Sequence, residues 1–388
     1  DLAKLRAKKD KIIEMMTGSL LDGCKKRGIT HVVGRGAFVD ANTIQVDKGP
    51  LVKFQKCIIA VGSVPTRLPA FDLPSPRILD STSALALESI PKTLLVVGGY
   101  IGLEMGSVYA ALGSKVTVVE MTPSLLPGVD ADLVRILQAR LRTEFDKIYL
   151  NTKVSKIEEV KGGIKASFEG EADVKEVVYE KVLVAVGRRP NTANIGLDRA
   201  GVIVERGFIK TDNQRRTNIP HLFAIGDAAG EPMLAHKAAH EGKLAVEVIT
   251  GETAAVWDPR AIPAVVFTDP EIAWCGMTEN DAKKQNRAVK IGTFRWGFSG
   301  RATTLGRNDG LSKVIIDEAT DQILGIGLVG AGAGELIAEG VVAIEMGATA
   351  LDLSMCIHPH PTLTETIGEA AETLHGLSSH IFMPKKPG

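Results

Sequence analysis

Apolar positions in the first 26 residues recur three and four apart. Leu5, Ile12, Ile13, Met16 and Leu20 share one face and predict a single helix from Leu2 to about Lys26. The period then shortens to two. "THVVGRGAFVD", "TIQVD" and "KCIIAVGS" alternate and carry glycines, as short strands do. Pro65, Pro69, Pro74 and Pro76 crowd the loop that follows, which reads as a crossing between domains. From Thr93 the pattern becomes strand ("TLLVV"), glycine turn ("GGYIG"), helix ("LEMGSVYAAL") and strand ("SKVTVVE"), a βαβ unit. A helix ("DADLVRILQARLRTEF") and two strands ("GIKASFEG", "EVVYEKVLVAVG") come next. "HLFAIGDAAG" then precedes a helix rich in alanine and histidine. Beyond about Trp257 strands and helices continue as an α+β pattern with no glycine fingerprint.

Composition narrows the class. A chain of 388 residues exceeds one ordinary core, so two or three domains are expected. Lys plus Arg and Asp plus Glu both number 46, so no basic excess points to nucleic acid or an anionic membrane. No apolar run reaches the roughly 18–20 residues that span a bilayer, and the expected setting is cytoplasmic, or the mitochondrial matrix in a eukaryote. Cys24, Cys57, Cys275 and Cys356 are scattered, with no close pair to make a disulfide scaffold or an all-cysteine zinc site.

The chemistry begins at "LLVVGGYIGLEMG". Glycines at a strand-to-helix turn let backbone approach a pyrophosphate, and the helix N-terminus offers amide donors and a positive dipole. A carboxylate about 20 residues on accepts hydrogen bonds from a ribose. Gly99, Gly102 and Glu120 fit that layout, and Glu120 would repel a 2′-phosphate, so NAD is expected over NADP. The first glycine of G-x-G-x-x-G falls on Val97, which tolerates a positive φ poorly. Either Gly98 takes that role in a shortened loop, or a glycine is missing.

"CIIAVGSVP" and "VLVAVGRRPN" are similar strings, each an apolar strand closing on a glycine turn, and suggest two nucleotide-binding domains. In "HLFAIGDAAG", Asp227 can accept from a sugar or ribityl hydroxyl, or it can cap the next turn. "CIHPHPTLTE" leaves three roles open. Cys356, His358 and His360 on an extended segment could converge on a metal; a histidine could serve as a base; or the stretch could be a stiff connector, its pre-proline residues held extended. Thr362 and Glu365 have capping-box spacing, with Thr362 opening the last major helix.

Taken together, "GGYIGLEMGSVYAALGSKVTVVE", "GRRPNT", "TNIPHLFAIGD", "PMLAHKAAHEG", "FTDPEIAWCGMTE" and "HPHPTLTETIGEAAE" resemble the FAD-dependent pyridine nucleotide–disulfide oxidoreductases, most closely the branch that oxidises dihydrolipoamide. The resemblance implies an α/β fold of two Rossmann-like nucleotide-binding domains, the FAD domain split by an inserted NAD domain, followed by an α+β dimerisation domain. On this chain the expected limits are 1–75 and 211–256 for FAD, 76–210 for NAD and 257–388 for the interface. It further implies FAD contacts at Gly36, Asp227 and Ala235, and NAD contacts at Gly99, Gly102, Glu104, Glu120, Val154 and Gly187. His360 becomes the catalytic base, oriented by Glu365, and no metal is expected. The implied partners are a second copy of the chain and the lipoyl domains of 2-oxo acid dehydrogenase complexes or of the glycine cleavage system. Neither nucleic acid nor a membrane is expected.

Family members also carry a first strand–glycine–helix for FAD and a redox-active C-x-x-x-x-C pair. Neither is found here, and the opening helix resembles the segment that follows them. The activity requires that pair. Alternative readings are a truncated, non-catalytic NAD-binding or assembly relative, and a flavin disulfide reductase of the glutathione reductase type.

Overall fold

A computed structural model describes residues 1–381 of the chain. They divide into two compact units: 1–66 with 82–89 and 187–258, and 67–81 with 90–186 and 259–381.

In the first unit the helix Leu2–Lys26 forms over the span its apolar stripe predicts, opened by Asp1, whose carboxylate accepts from the Lys4 N–H. None of its residues is buried, and Ile13, Met15, Met16 and Leu20 are exposed. A three-stranded antiparallel sheet follows in the order Gly36–Asp40, Thr43–Val46, Leu51–Lys53. The strand expected over "THVVGRGAFVD" thus occupies its second half only. Cys57–Ile59 pairs in parallel with Leu222–Ala224, and Ser63–Pro65 pairs antiparallel with Arg188–Pro190. Phe38, Ile59, Ile195, Leu197, Ile209 and Leu222 form the core beneath them.

The second unit holds a five-stranded parallel sheet, ordered Ile78–Leu79, Lys181–Val184, Thr93–Val97, Lys115–Val119, Lys147–Tyr149. Its central strand is a continuous apolar run because both faces are covered; Leu94, Leu95 and Val96 have no exposure. Helix Tyr100–Ala111 returns the chain between two of these strands. A meander of Thr152–Val160, Gly163–Gly170 and Glu176–Tyr179 lies alongside. The stretch "EVVYEKVLV", read as one strand, divides at Glu180 between meander and parallel sheet. There the Glu180 carboxylate accepts from the Lys92 N–H at 2.8 Å, and its own N–H donates to Thr93 Oγ1 at 2.9 Å. These two bonds turn the chain.

The same unit contains a five-stranded antiparallel sheet, ordered Ala264–Val266, Glu271–Gly276, Ile323–Gly330, Leu311–Asp317, Val289–Arg295. Helices Ala333–Met346, Ala350–Met355 and Glu365–His375 cover it around Phe294, Val314, Ile326, Ile337 and Ile367. Among the described residues no helix is long and apolar enough to cross a membrane.

Candidate functional site

The glycine turn shows how the chain manages without a glycine at position 97. Val97 stays in the strand, opposite Val119 and Val184. Gly98 and Gly99 then take φ values of 72° and 71°, so Gly98 assumes the tight-turn role. A Cβ on Gly99 would stand 2.3 Å from the Ala185 carbonyl oxygen, and one on Gly102 would stand 2.8 Å from Val96 Cγ1. Gly99 is the N-cap of Tyr100–Ala111 and leaves that end without a side-chain cap, so the first-turn amides are available to an anion. Glu120 follows the neighbouring parallel strand, and its Oε1 accepts from the N–H and the hydroxyl of Thr122, both at 3.0 Å. A backbone turn with no room for a Cβ, an uncapped helix end and an acid at the next strand end fit an adenine dinucleotide lacking a 2′-phosphate.

The remaining nucleotide candidates sit differently. Glu104 lies one turn into the helix, and its carboxylate accepts from the Phe267 N–H at 2.8 Å. Burial pushes that carboxyl above its usual range, and the Phe267 bond only partly opposes this. Val154 is buried in the core with Val97 and Val119, so only its backbone is free to meet a ligand. Gly187 belongs to the first unit, with φ 116° and open space where a Cβ would stand.

In the first unit Asp227 lies in the single turn Gly226–Ala228 and caps no helix. Its Oδ2 accepts from the Ser63 hydroxyl at 2.5 Å, while Arg188 donates to Ser63 Oγ at 2.7 Å and to the Ser63 carbonyl at 2.8 Å. The Gly226 N–H donates to Glu241 Oε2 at 2.6 Å, and the fully buried Glu241 is neutralised by Lys237 at 3.0 Å and Arg215 at 3.1 Å. Sequence reasoning missed this support. Its one visible signal is the pair Lys237 and Glu241, four apart on Ala235–Thr250. Ala235 begins that helix, another end without a side-chain cap, and Gly36 begins the first strand, exposed. An acid beside an open helix N-terminus fits the hydroxyl and phosphate groups of a flavin nucleotide.

The segment "CIHPHPTLTE" resolves into separate parts. His358 is largely buried; its Nε2 lies 2.7 Å from Glu339 Oε1, and its ring packs where a Cβ on Gly368 would stand. The Glu339 carboxylate raises the proton affinity of His358 above the ordinary imidazole value. Cys356 Sγ donates to the Asp352 carbonyl. The three candidate metal ligands therefore face three different partners. His360 Nδ1 lies 2.8 Å from Glu365 Oε1, and its side chain is 76% exposed. A carboxylate can only accept, so Nδ1 carries the hydrogen and Nε2 keeps its lone pair.

The expectation that Thr362 opens the last helix is corrected. Helix Glu365–His375 starts three residues later, with Thr364 at its N-cap. Thr362 Oγ1 instead donates to the Pro359 carbonyl and meets Thr364 Oγ1. Half of a capping box survives, since the Thr362 N–H donates to Glu365 Oε2 at 2.7 Å. Glu365 thus meets Thr362 with one oxygen and His360 with the other, although it closes no capping box. Burial would raise its carboxyl, but the bonds from Thr362 and His360 outweigh this and hold it below the usual carboxylate range. The result is a histidine with a fixed tautomer and an open basic nitrogen.

Residues 4–242 match the family described as pyridine nucleotide-disulphide oxidoreductase, and residues 262–371 match its dimerisation domain. A dihydrolipoyl dehydrogenase from Vibrio parahaemolyticus is 46% identical over 382 residues, 97% of this chain and 80% of that protein. One from Geobacillus stearothermophilus is 42% identical over 387 residues, 98% of this chain and 82% of that protein. Among solved structures, LpdA from Mycobacterium tuberculosis superposes with a TM-score of 0.88 at 26% identity, covering 96% of this chain and 83% of that one. The HOCl-induced flavoprotein disulfide reductase RclA from Escherichia coli gives a TM-score of 0.88 at 25% identity, covering 95% and 85%.

Proposed function

The chain belongs to the pyridine nucleotide-disulphide oxidoreductase family, and from that premise we propose that it acts as a dihydrolipoyl dehydrogenase, oxidising protein-bound dihydrolipoamide with reduction of NAD⁺. The family uses FAD and NAD⁺; when bound, FAD would supply the two-electron chemistry that links a dithiol to NAD⁺. The observation that carries the reading is the His360–Glu365 pair. A dihydrolipoyl thiol attacks a disulfide only as its thiolate, so a base must take its proton. His360 Nε2 takes that proton while Glu365 holds Nδ1–H and stabilises the imidazolium that forms.

Gly99, Gly102, Glu104, Glu120, the Val154 backbone and Gly187 hold NAD in this reading. Gly36, Asp227 and Ala235 hold FAD, with Ser63 and Arg188 keeping Asp227 in place. The same reading keeps residues 1–75 and 211–256 as FAD domain, 76–210 as NAD domain and 257–388 as interface. The redox cysteine pair is not among these 388 residues, so each step assigned here is one that these residues perform.

The dimerisation domain marks a homodimer. Val342, Met346, Leu351, Met355 and the almost wholly exposed Ile357 offer the apolar surface a second copy would cover. His360, exposed beside them in sequence, acts in the partner subunit's site, and lipoyl domains are the substrate carriers. A reducing, cytoplasmic setting suits the four free cysteines.

The test is His360→Gln in the enzyme containing its redox cysteine pair. Turnover of dihydrolipoamide should fall at least about 100-fold, the scale of a lost general base, while NADH still bleaches the flavin spectrum. Near-normal turnover removes His360 from the role. A colourless protein that binds NADH without any flavin would favour the non-catalytic relative instead.

A further inference from the structure

Strand Leu222–Ala224 meets its parallel neighbour Cys57–Ile59 along a ladder that ends with the Ile225 N–H donating to the Ile59 carbonyl at 3.1 Å. Gly226 is the next residue, and its N–H has no strand to donate to. It is buried at φ 67°, and a Cβ there would stand 2.9 Å from the Ala238 Cβ, so the turn lies tight against helix Ala235–Thr250. The acceptor comes from the same helix. It is Glu241 Oε2, 2.6 Å away, on a side chain with no exposure. One turn earlier, Lys237 lies 3.0 Å from Glu241 Oε1 and donates to the Gly230 carbonyl at 3.1 Å. The Lys237–Glu241 pair thus holds both ends of the 226–230 segment, with Asp227 between them. Arg215 completes the group, 3.1 Å from Glu241 Oε1. Its φ is 62°, and its buried Nε has no hydrogen-bond partner among the described residues, both unfavourable. A buried carboxylate with two cations is a weak source of stability, since apolar residues of like volume often serve as well. What apolar side chains cannot supply is an acceptor for the Gly226 N–H.

We propose that Glu241 is a positioning residue for the flavin: its Oε2 fixes the Gly226 amide and so sets the Asp227 carboxylate where a hydroxyl of FAD meets it. The inference rests on the reading of Asp227 as an FAD contact. Ser63 holds the Asp227 carboxylate itself, and Arg188 holds Ser63. Glu241 holds the backbone that carries Asp227. Loss of this acceptor acts on the flavin-bound form above all. In the apoenzyme a freed turn can shift until the Gly226 N–H finds water. FAD binding returns Asp227 to its place and the amide to dry surroundings, where an unpaired donor is most unfavourable. The effect therefore appears as weakened flavin binding, not as a general loss of stability.

Two double variants of the enzyme containing its redox cysteine pair isolate that bond. Lys237→Met with Glu241→Gln, and Lys237→Met with Glu241→Met, each remove one acid and one base, so the net charge is kept and Arg215 remains. Both lose the tether to Gly230 alike. They differ in one respect: glutamine keeps a carbonyl oxygen for the Gly226 N–H, and methionine, of similar length, offers none. FAD is titrated with each apoenzyme and followed by flavin fluorescence anisotropy, and the apoenzyme melting temperature is measured alongside. The dissociation constant should be at least about tenfold higher for the methionine variant than for the glutamine variant, the scale of one buried unpaired donor. The two apoenzyme melting temperatures should agree within about 2 °C. Equal dissociation constants, or a difference confined to the melting temperature, overturn the proposal. If either double variant yields no folded apoenzyme, the cluster is structural and the proposal falls. Asp227→Ala separates the two layers of the argument. Should it bind FAD as tightly as the unaltered enzyme, the reading of Asp227 fails and the proposal with it. Should it lose flavin while the two double variants bind alike, only the role of Glu241 is removed.

Discussion

Replacing Lys313 with methionine probes the most heavily charged buried site of the second unit. Lys313 has no exposure, and its Nζ lies 2.9 Å from Asp130 Oδ2, 2.6 Å from Asp132 Oδ1 and 2.7 Å from Glu279 Oε1. These three acids form a cation-sized cluster whose cation is the lysine itself. Asp130 stands at the N-cap of Ala131–Glu144 and Asp132 in its first turn, where the helix dipole offsets part of the excess negative charge. Lys313→Met keeps the aliphatic stem and removes the ammonium, leaving three carboxylates facing one another. Breaking a buried ion cluster costs about 3–5 kcal/mol. Asp132 and Glu279 are each about a quarter exposed, so the low end, about 3 kcal/mol, applies. For a unit of this size that corresponds to a melting temperature lower by about 6–12 °C.

Burial works against the Lys313 ammonium, but the bonds to Asp132, Glu279 and Asp130 outweigh it and raise its proton affinity. A lysine with a raised folded-state value stabilises fully below its unfolded pKa of about 10.4 and loses that contribution only as pH rises through the folded value. The calorimetric deficit should therefore be constant between about pH 6 and 9. Adding Asp130→Leu, Asp132→Asn and Glu279→Gln should restore most of it, since replacing a whole buried ionic set is close to neutral. A shift under about 1 °C for Lys313→Met, or a deficit that vanishes by pH 9, would refute the reasoning.

Two further outcomes concern the nucleotide turn. Gly99→Ala must either push its Cβ into the Ala185 carbonyl or abandon a φ of 71°, and NADH affinity measured by fluorescence titration should fall at least about tenfold, or about 1.4 kcal/mol; unchanged binding would show that the turn does not hold the dinucleotide. Glu120→Ser removes a charged acceptor worth about 1.5–3 kcal/mol, so the preference for NADH over NADPH should narrow by about 10- to 150-fold, and an unaltered ratio would separate Glu120 from the ribose.

The parts of this protein legible in its sequence are those whose cause is local. An apolar stripe at helical spacing placed Leu2–Lys26, and a short apolar run closed by a glycine turn placed Thr93–Val97. Spacing along βαβ identified Gly99, Gly102 and Glu120 as a set, because a turn, a helix end and the next strand end follow one another within some 20 residues. The five-residue interval from His360 to Glu365 was equally readable. Tertiary structure decided what depends on remote partners. Val97 remains in the sheet and Gly98 turns because the strands on either side hold the ladder. Glu365 serves two donors because the helix begins at Glu365 itself and leaves Thr362 free to reach back. Ser63 meets Asp227 across 164 residues, and Lys313 gathers Asp130 from 183 residues away. Periodicity carries no information about such pairs: a hydrogen bond needs two atoms within about 3 Å, and only the packing of the sheets brings those atoms together.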